Sequence, residues 1–223
     1  MKKILVIAGC WFVVATSSAQ TMLFDDETEF TTLLTQDLQF DSFEDLSPSG
    51  ASPTGLLERD GYQISSTIAD DSYGLYVFGQ DSGFGSFATD GDVHLAHQTD
   101  TGQTLRFDFD FTITLFALSI TDWDNLAMTS GAQLVFGNDA GEGQEFVVTA
   151  TPMLIDEVLF FGLVNFSNTF SYVEIRNVSA NEAYGFDGVY FARPIPLPAA
   201  FWLFASALLG GLLSLRRSGS RAV

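Results

Sequence analysis

Acidic side chains are the residues of this sequence with the clearest capacity to bind a ligand. Asp and Glu together number 28, and several lie in short runs that also contain Gly or Asn. Such runs offer many oxygen atoms within a few residues, and oxygen is the ligand that Ca²⁺ prefers. The runs are Asp70-Asp71, Asp81, Asp90-Gly91-Asp92 and Asp122-Trp123-Asp124-Asn125. None has the spacing of an EF-hand loop, so each run by itself is a weak calcium signal.

The last of these runs also contains an aromatic side chain, which adds sugar binding as a second chemistry. Trp123 is flanked by Asp122, Asp124 and Asn125. An exposed indole can stack on the face of a sugar ring, while the neighbouring polar groups bond to its hydroxyls. A Trp at the end of a strand is more often the edge of a core. The sequence leaves both interpretations open and makes these four residues a candidate carbohydrate site.

The signals for catalysis are weak. The chain contains no nucleophile elbow, phosphate-binding loop, paired-His zinc motif or dinucleotide fingerprint. His94 and His97 are three positions apart on a predicted strand, so they point to opposite faces and cannot both bind one metal ion. We expect each to be a surface or loop-edge histidine. A pair of carboxylates at glycosidase spacing arises by chance among so many acids, so a hydrolase remains only an alternative.

These side chains must be positioned by strands, because the chain alternates apolar and polar residues almost throughout from Gly61. The clearest case is Leu105–Phe111, which places Leu and Phe on one face and Arg and Asp on the other. Acids before Phe30 predict a short amphipathic helix near 26–36. The predicted strands are 38–44, 74–79, 92–97, 104–111, 113–120, 132–136, 144–149, 158–166, 170–178 and 184–191. Short strands at close spacing predict an all-β fold, an antiparallel β-sandwich that is jelly-roll-like, as one domain over residues 20–193.

The charge of the chain limits its partners. Lys and Arg number 9 against 28 acids, giving a formal charge of −19. Residues 20–193 carry 4 Arg, no Lys and all 28 acids, a net charge of −24. Such a surface repels phosphate, so we expect no nucleic-acid partner.

Both ends of the chain resemble targeting segments. Residues 1–19 have a basic start, an apolar stretch and a small-residue cleavage site, which predicts a secretory signal peptide cut after Ala19. Cys10 leaves with this segment, so the mature chain has no cysteine for a disulfide. At the other end, a proline-rich segment at 194–198 precedes an apolar stretch at 199–215 and a basic tail at 216–223. The apolar stretch is predicted to be a transmembrane helix whose arginines stay cytoplasmic.

The order of proline motif, apolar helix and arginines resembles the PEP-CTERM sorting signal of Gram-negative bacteria, in its variant with a Pro-Leu-Pro-Ala-Ala core. The glutamate that names the motif is absent here. The motif residues of this chain are Pro194, Pro196, Leu197, Pro198, Arg216 and Arg217. The resemblance implies processing by an exosortase-type enzyme, membrane anchoring before processing, and a place at the cell surface or in the exopolysaccharide matrix.

The body of the chain is similar to domains that precede this signal, and in outline to carbohydrate-binding jelly rolls. The similarity rests on Phe43-Glu44-Asp45 and on Phe186-Asp187-Gly188-Val189-Tyr190-Phe191. It implies a structural Ca²⁺ where an acid near the first strand, Glu44 or Asp45, approaches Asp187 on the last, with Asp25 and Asp26 as further ligands. The alternative is that Asp25 and Asp26 belong to a helix cap and Asp187 to a turn.

Together these observations predict a secreted, surface-sorted, non-enzymatic protein of the extracellular matrix that binds polysaccharide with calcium support. Two alternatives stay open: an extracellular glycan-active hydrolase, and a purely structural surface protein without a ligand.

Overall fold

A computed structural model describes residues 21–33, 38–48, 54–67, 74–80, 86–99, 103–122, 133–138, 146–149, 158–165, 168–176 and 182–194. The predicted signal peptide, transmembrane helix and basic tail, and every sorting residue except Pro194, lie outside the described residues. Within these ranges, no helix is both long enough and apolar enough to span a membrane.

The described part of the chain contains thirteen strands and one helix. The elements are β1 Thr21–Phe24, α1 Glu27–Leu33, β2 Gln39–Asp41, β3 Leu56–Arg59, β4 Tyr62–Ser66, β5 Gly74–Phe78, β6 His94–Thr99, β7 Leu105–Ile113, β8 Leu115–Thr121, β9 Gln133–Gly137, β10 Phe146–Thr149, β11 Val158–Asn165, β12 Phe170–Arg176 and β13 Glu182–Ala192. The predicted helix and the predicted strands are confirmed within a few residues at their ends. The edge strands β1 and β3 and the strand β4 are not among the predicted strands, because four or five residues are too few to establish a period.

The strands form two antiparallel sheets. One sheet has seven strands in the order β1-β11-β8-β13-β6-β5, with β2 also paired to β13. The other has six strands in the order β10-β9-β12-β7-β4-β3. From β6 onward the described strands alternate between the sheets, except that β9 and β10 are neighbours in the six-stranded one.

A single aromatic-rich core lies between the sheets. Phe107 of β7 packs edge-on against Phe116 of β8, with ring centroids 5.3 Å apart, and Tyr62 of β4 packs against Phe191 of β13 at 5.2 Å. The alternation predicted for β7 is confirmed, since Leu105, Phe107 and Phe109 are buried in this core. The sandwich is therefore held together by residues at every second position of its strands.

The outer face of the seven-stranded sheet is covered as well. Helix α1 places Phe30 against Gly162 of β11, where a Cβ atom would lie 2.7 Å from the Phe30 ring. At the other end of this face, the segment 86–93 lies over β6, β8 and β13 and bonds to their side chains. Two expectations are corrected here, since His94 and His97 do point to opposite faces but both are buried rather than exposed. The segment 86–93 covers His94 on the outer face, and His97 lies between the sheets, where it bonds to Ser66 and Tyr184.

Candidate functional site

An open cleft of about 680 Å³ lies where β2, the β3–β4 hairpin and β13 meet. We call it the Arg59 cleft. Its lining residues are Gln39, Phe40, Asp41, Asp45, Glu58, Arg59, Asp60 and Phe191. The hairpin turns through Asp60 and Gly61, and Gly61 has the positive φ of 82° that favours glycine. Glu58 and Asp60 are exposed beside this turn, and Glu58 lies opposite Gln63 on the outer face of the six-stranded sheet.

Arg59 forms the centre of a charge network in the cleft. Its Nε and Nη2 atoms donate to the two oxygens of Asp41 at 2.8 and 2.7 Å. Its Nη1 and Nη2 atoms donate to Asp45 at 3.1 and 2.7 Å. Hydrogen bonds from Arg59 lower the pKa of Asp45, and hydrogen bonds to Asp41 and Asp45 raise that of Arg59. Arg59 and Asp45 therefore stay ionised together.

The backbone beside this network is strained. Phe43 is a buried aromatic residue with a φ of 62°, which side chains of its size rarely adopt. Asp41 holds the turn, since its Oδ1 accepts the backbone N–H of Phe43 at 3.1 Å. Its Oδ2 accepts the hydroxyl of Tyr62 at 2.8 Å. Asp41 thus fixes the turn as well as the guanidinium, which gives the cleft a rigid floor.

Phe40 lies at the edge of the cleft and exposes its ring on the outer face of the seven-stranded sheet, because it pairs with Tyr190 of the outer cluster. It is 45% exposed. Its ring stacks on Tyr190, with centroids 4.5 Å apart and planes 28° apart. A large apolar ring held by stacking and still open to solvent can pack against the apolar face of another ring.

A second cluster of acids holds the segment 86–93, and we call it the carboxylate clasp. Asp187 Oδ2 accepts the backbone N–H groups of Thr89 and Asp90 at 2.8 and 2.9 Å. Glu44 Oε1 accepts those of Asp92 and Val93 at 2.9 and 2.8 Å. Two carboxylates that are distant in sequence thus accept hydrogen bonds from the two ends of one short loop.

Asp187 is buried at a bulge in β13, where the pairing with β8 shifts by one residue. Burial raises the pKa of this carboxyl, and its bonds to Asp90 and Thr89 oppose the rise. Asp187 therefore lies in a strand and not in the turn that the alternative interpretation expected. Its position at a bulge explains how a side chain on a central strand can reach a surface loop.

The residues predicted to hold calcium are only partly brought together. Glu44 and Asp187 meet at the clasp, whereas Asp45 is bound to Arg59. Asp26 caps α1, with the backbone N–H of Glu29 donating to its Oδ1 at 2.7 Å, as the alternative interpretation expected. No group of three or more His, Cys, Asp or Glu side chains is placed to hold a metal ion within the described ranges. As placed, the residues do not form a calcium site, and calcium stays a prediction.

The predicted carbohydrate residues fall at the edge of the described chain. Asp122 follows β8 with a φ of 56°. Trp123, Asp124 and Asn125 lie outside the described residues, so their role stays a prediction.

Sequence reasoning missed the Arg59 cleft. The signal available was Glu58-Arg59-Asp60, which places one of only 4 Arg of residues 20–193 between two acids.

A third polar cluster lies on the outer face of the six-stranded sheet. Arg106 donates to Asp108 at 2.6 Å and to Glu174 at 2.8 Å, and its guanidinium lies 3.9 Å from the centroid of the Tyr172 ring. Arg176 bonds to the same Glu174. The charges of this cluster are engaged with each other, which leaves it a weaker candidate than the cleft.

Comparisons with known proteins give likenesses of fold only. No family model and no curated protein matches the chain. The K2 cleaved adhesin domain of Lys-gingipain aligns with a TM-score of 0.44 at 11% identity, over 70% of this chain and 99% of its own. TmCBM61, solved with β-1,4-galactotriose, aligns at 0.40 and 12%, over 68% and 94%. A variant family 29 carbohydrate-binding module with cellulohexaose aligns at 0.40 and 8%, over 71% and 94%. At these scores the likenesses carry no argument about ligand or activity.

Proposed function

We propose that this chain is a secreted, non-enzymatic protein of the extracellular matrix that binds polysaccharide in the Arg59 cleft. The observation that carries the proposal is an open cleft lined by carboxylates, an amide and a guanidinium, with the exposed ring of Phe40 at its edge on the outer face of the seven-stranded sheet. Sugar rings have an apolar face that packs on aromatic rings and a rim of hydroxyls that bond to such polar groups. An open cleft also admits a chain rather than only its end.

The chemistry of the cleft favours binding over hydrolysis. A glycosidase needs a carboxylic acid that stays protonated to donate to the leaving oxygen, so its pKa must be raised. In the cleft, Arg59 lowers the pKa of Asp45 and donates a hydrogen bond to the carboxylate of Asp41. Among the residues that the structure describes, Asp187 is a carboxyl with a raised pKa, but it is buried and bonded to the loop at 89–90. A hydrolase remains the alternative that a released product would reveal.

The location and sorting of the protein are part of the proposal and rest on its sequence. Residues 1–19 would direct export, residues 199–215 would anchor the chain in the membrane, and the segment from Pro194 to Arg217 would be presented to an exosortase-type enzyme. The alternation of strands between sheets supports a jelly-roll-like winding for the exported body.

Calcium support is proposed at the carboxylate clasp, because Glu44 and Asp187 are the predicted ligands that share one loop. If calcium binds there, it raises the melting temperature of the full-length protein in detergent, and EDTA reverses the rise. Glu44→Gln and Asp187→Asn should each remove this increment, while Asp110→Asn, on an exposed strand position, should retain it. An equal melting temperature in calcium and EDTA would reject calcium support.

Retention on polysaccharide tests the proposed function directly. The full-length protein is applied to immobilised neutral and amino-sugar polysaccharides, and both retention and released sugar are measured. We expect retention without release, and loss of retention in Phe40→Ala. Leu23→Ala is the matched control, because Leu23 is 55% exposed on β1 and does not line the cleft. Retention that survives Phe40→Ala but not Trp123→Ala would move the site to the Trp123 loop, and absence of retention would favour a structural protein.

A further inference from the structure

The residue at which the mature chain is predicted to begin can modify itself. Cleavage after Ala19 leaves Gln20 with a free α-amine on the same residue as a side-chain amide. We infer that Gln20 cyclises to pyroglutamate and that the mature chain then contains no primary amine. This inference goes beyond polysaccharide binding, and it rests on the export and cleavage that are part of the proposed function.

The reaction needs no cofactor and no second reactant. The neutral α-amine nitrogen of Gln20 attacks the Cδ carbon of the side-chain amide, and a five-membered lactam forms. The bond from Cδ to the amide nitrogen breaks, and this nitrogen leaves as ammonia after taking one proton from the attacking amine. An α-amine has a pKa of about 7.7–8.0, so part of it is neutral and reactive near pH 7. The lactam removes the terminal positive charge, as N-terminal acetylation does.

The structure gives this lactam a protective role. Strand β1 begins at Thr21, one residue after the predicted cleavage point. Thr21 pairs with Asn165 of β11, whose buried side-chain amide donates to the Thr21 hydroxyl at 3.1 Å. An aminopeptidase that removed Gln20 would therefore next remove a residue that joins β1 to the sheet. Such enzymes need a free α-amine, which the lactam lacks.

The composition of the chain gives the reaction a second consequence. Lysine occurs only at Lys2 and Lys3, and both leave with the predicted signal peptide. Every Lys or Arg position after residue 19 is an arginine. The α-amine of Gln20 is therefore the single primary amine of the mature chain. Aldehydes, including the open form of reducing sugars, form Schiff bases with primary amines, so the cyclised chain does not become linked to matrix sugars in this way.

Mass spectrometry of the exported protein tests this inference. The full-length chain is expressed with its own signal peptide in a Gram-negative host, and the mature protein is unfolded in guanidinium chloride and treated with an amine-reactive ester. We expect an N-terminal peptide that begins at residue 20, is lighter than the open form by one ammonia, and takes no label. Pyroglutamyl aminopeptidase should then remove one residue and permit one label, on the amine of Thr21.

A one-methylene change at the same position is the matched control. Gln20→Asn keeps the amide and the predicted cleavage point, but its lactam would have a strained four-membered ring and does not close. This variant should carry an open N-terminal residue and take one label per chain. Loss of the amine from Gln20→Asn as well would show that another reaction blocks the terminus, and would overturn the cyclisation.

The outcomes separate this inference from the proposed function. An open Gln20 that takes one label would overturn the cyclisation and leave export and polysaccharide binding in place. A chain that begins at any other residue would overturn the predicted cleavage together with the cyclisation. If the chain still began at Met1, the amines of Lys2 and Lys3 would identify it by additional labels.

Discussion

At the scale of single residues, His97 is a titratable group whose role is structural. His97 lies between the sheets, with Nε2 2.9 Å from the Ser66 hydroxyl and Nδ1 3.1 Å from that of Tyr184. Burial lowers the pKa of His97 from 6.5 to about 3. The imidazole therefore stays neutral over the physiological range and joins the sheets by hydrogen bonds.

This residue predicts a specific acid sensitivity. Below pH 6.5 the unfolded chain binds a proton at His97 that the folded chain does not, so the free energy of unfolding falls as the pH falls. The slope is about 1.4 kcal/mol per pH unit, or about 2 kcal/mol by about pH 5. Urea titrations monitored by circular dichroism measure it. His97→Gln should reduce the slope by this amount whatever its own stability, and an unchanged slope would contradict the prediction.

At the scale of elements, the carboxylate clasp joins three parts of the fold. Glu44 follows β2, Asp187 lies on β13, and the loop they hold precedes β6. Gly91 lies between the gripped ends with a φ of 72°, and a Cβ atom there would lie 2.4 Å from the Glu44 carboxyl. The loop can approach the carboxylate this closely only because position 91 has no side chain.

The clasp is therefore expected to be intolerant of small changes. Asp187→Asn can place an amide donor against the N–H groups of Thr89 and Asp90, and Gly91→Ala forces Glu44 away. Each should lower the free energy of unfolding by about 1–3 kcal/mol, the cost of buried polar groups left without partners. Urea unfolding measures the loss, with Asp110→Asn as the exposed control. A loss in Asp187→Asn no larger than in the control would show that the clasp does not stabilise the fold.

The elements also show what sequence could and could not predict. The alternation in 105–111 predicts strand β7 because burial on one face imposes a period of two, and tertiary packing agrees with it. The Arg59 cleft is different. Asp41 and Arg59 are 18 positions apart on β2 and β3, which belong to different sheets, so their contact depends on how the sheets pack. The burial of His94 likewise depends on the segment 86–93, which covers it and whose position no local sequence pattern predicts.

At the scale of the whole molecule, charge is the dominant feature. The chain has 28 acids against 9 bases, an acidic excess of 19. The described ion pairs engage Arg59, Arg106 and Arg176, and salt costs them little because the buried pairs are screened weakly and the more exposed ones contribute little. Repulsion among the remaining acids favours the expanded chain.

Salt should therefore stabilise this protein. Raising the ionic strength until the screening length falls from about 30 Å to about 8 Å weakens the repulsion more than it weakens the few ion pairs. We expect a gain of about 1 kcal/mol in the free energy of unfolding, seen as a rise of about 2–4 °C in melting temperature by calorimetry. The rise in melting temperature in sodium chloride measures the screening effect. Calcium chloride at equal ionic strength adds a further rise if calcium binds specifically, and Asp187→Asn should remove that further rise. A melting temperature that falls with sodium chloride would mean that the arginine networks outweigh the acidic excess, and that the acidity is neutralised locally instead of being left for a cationic ligand.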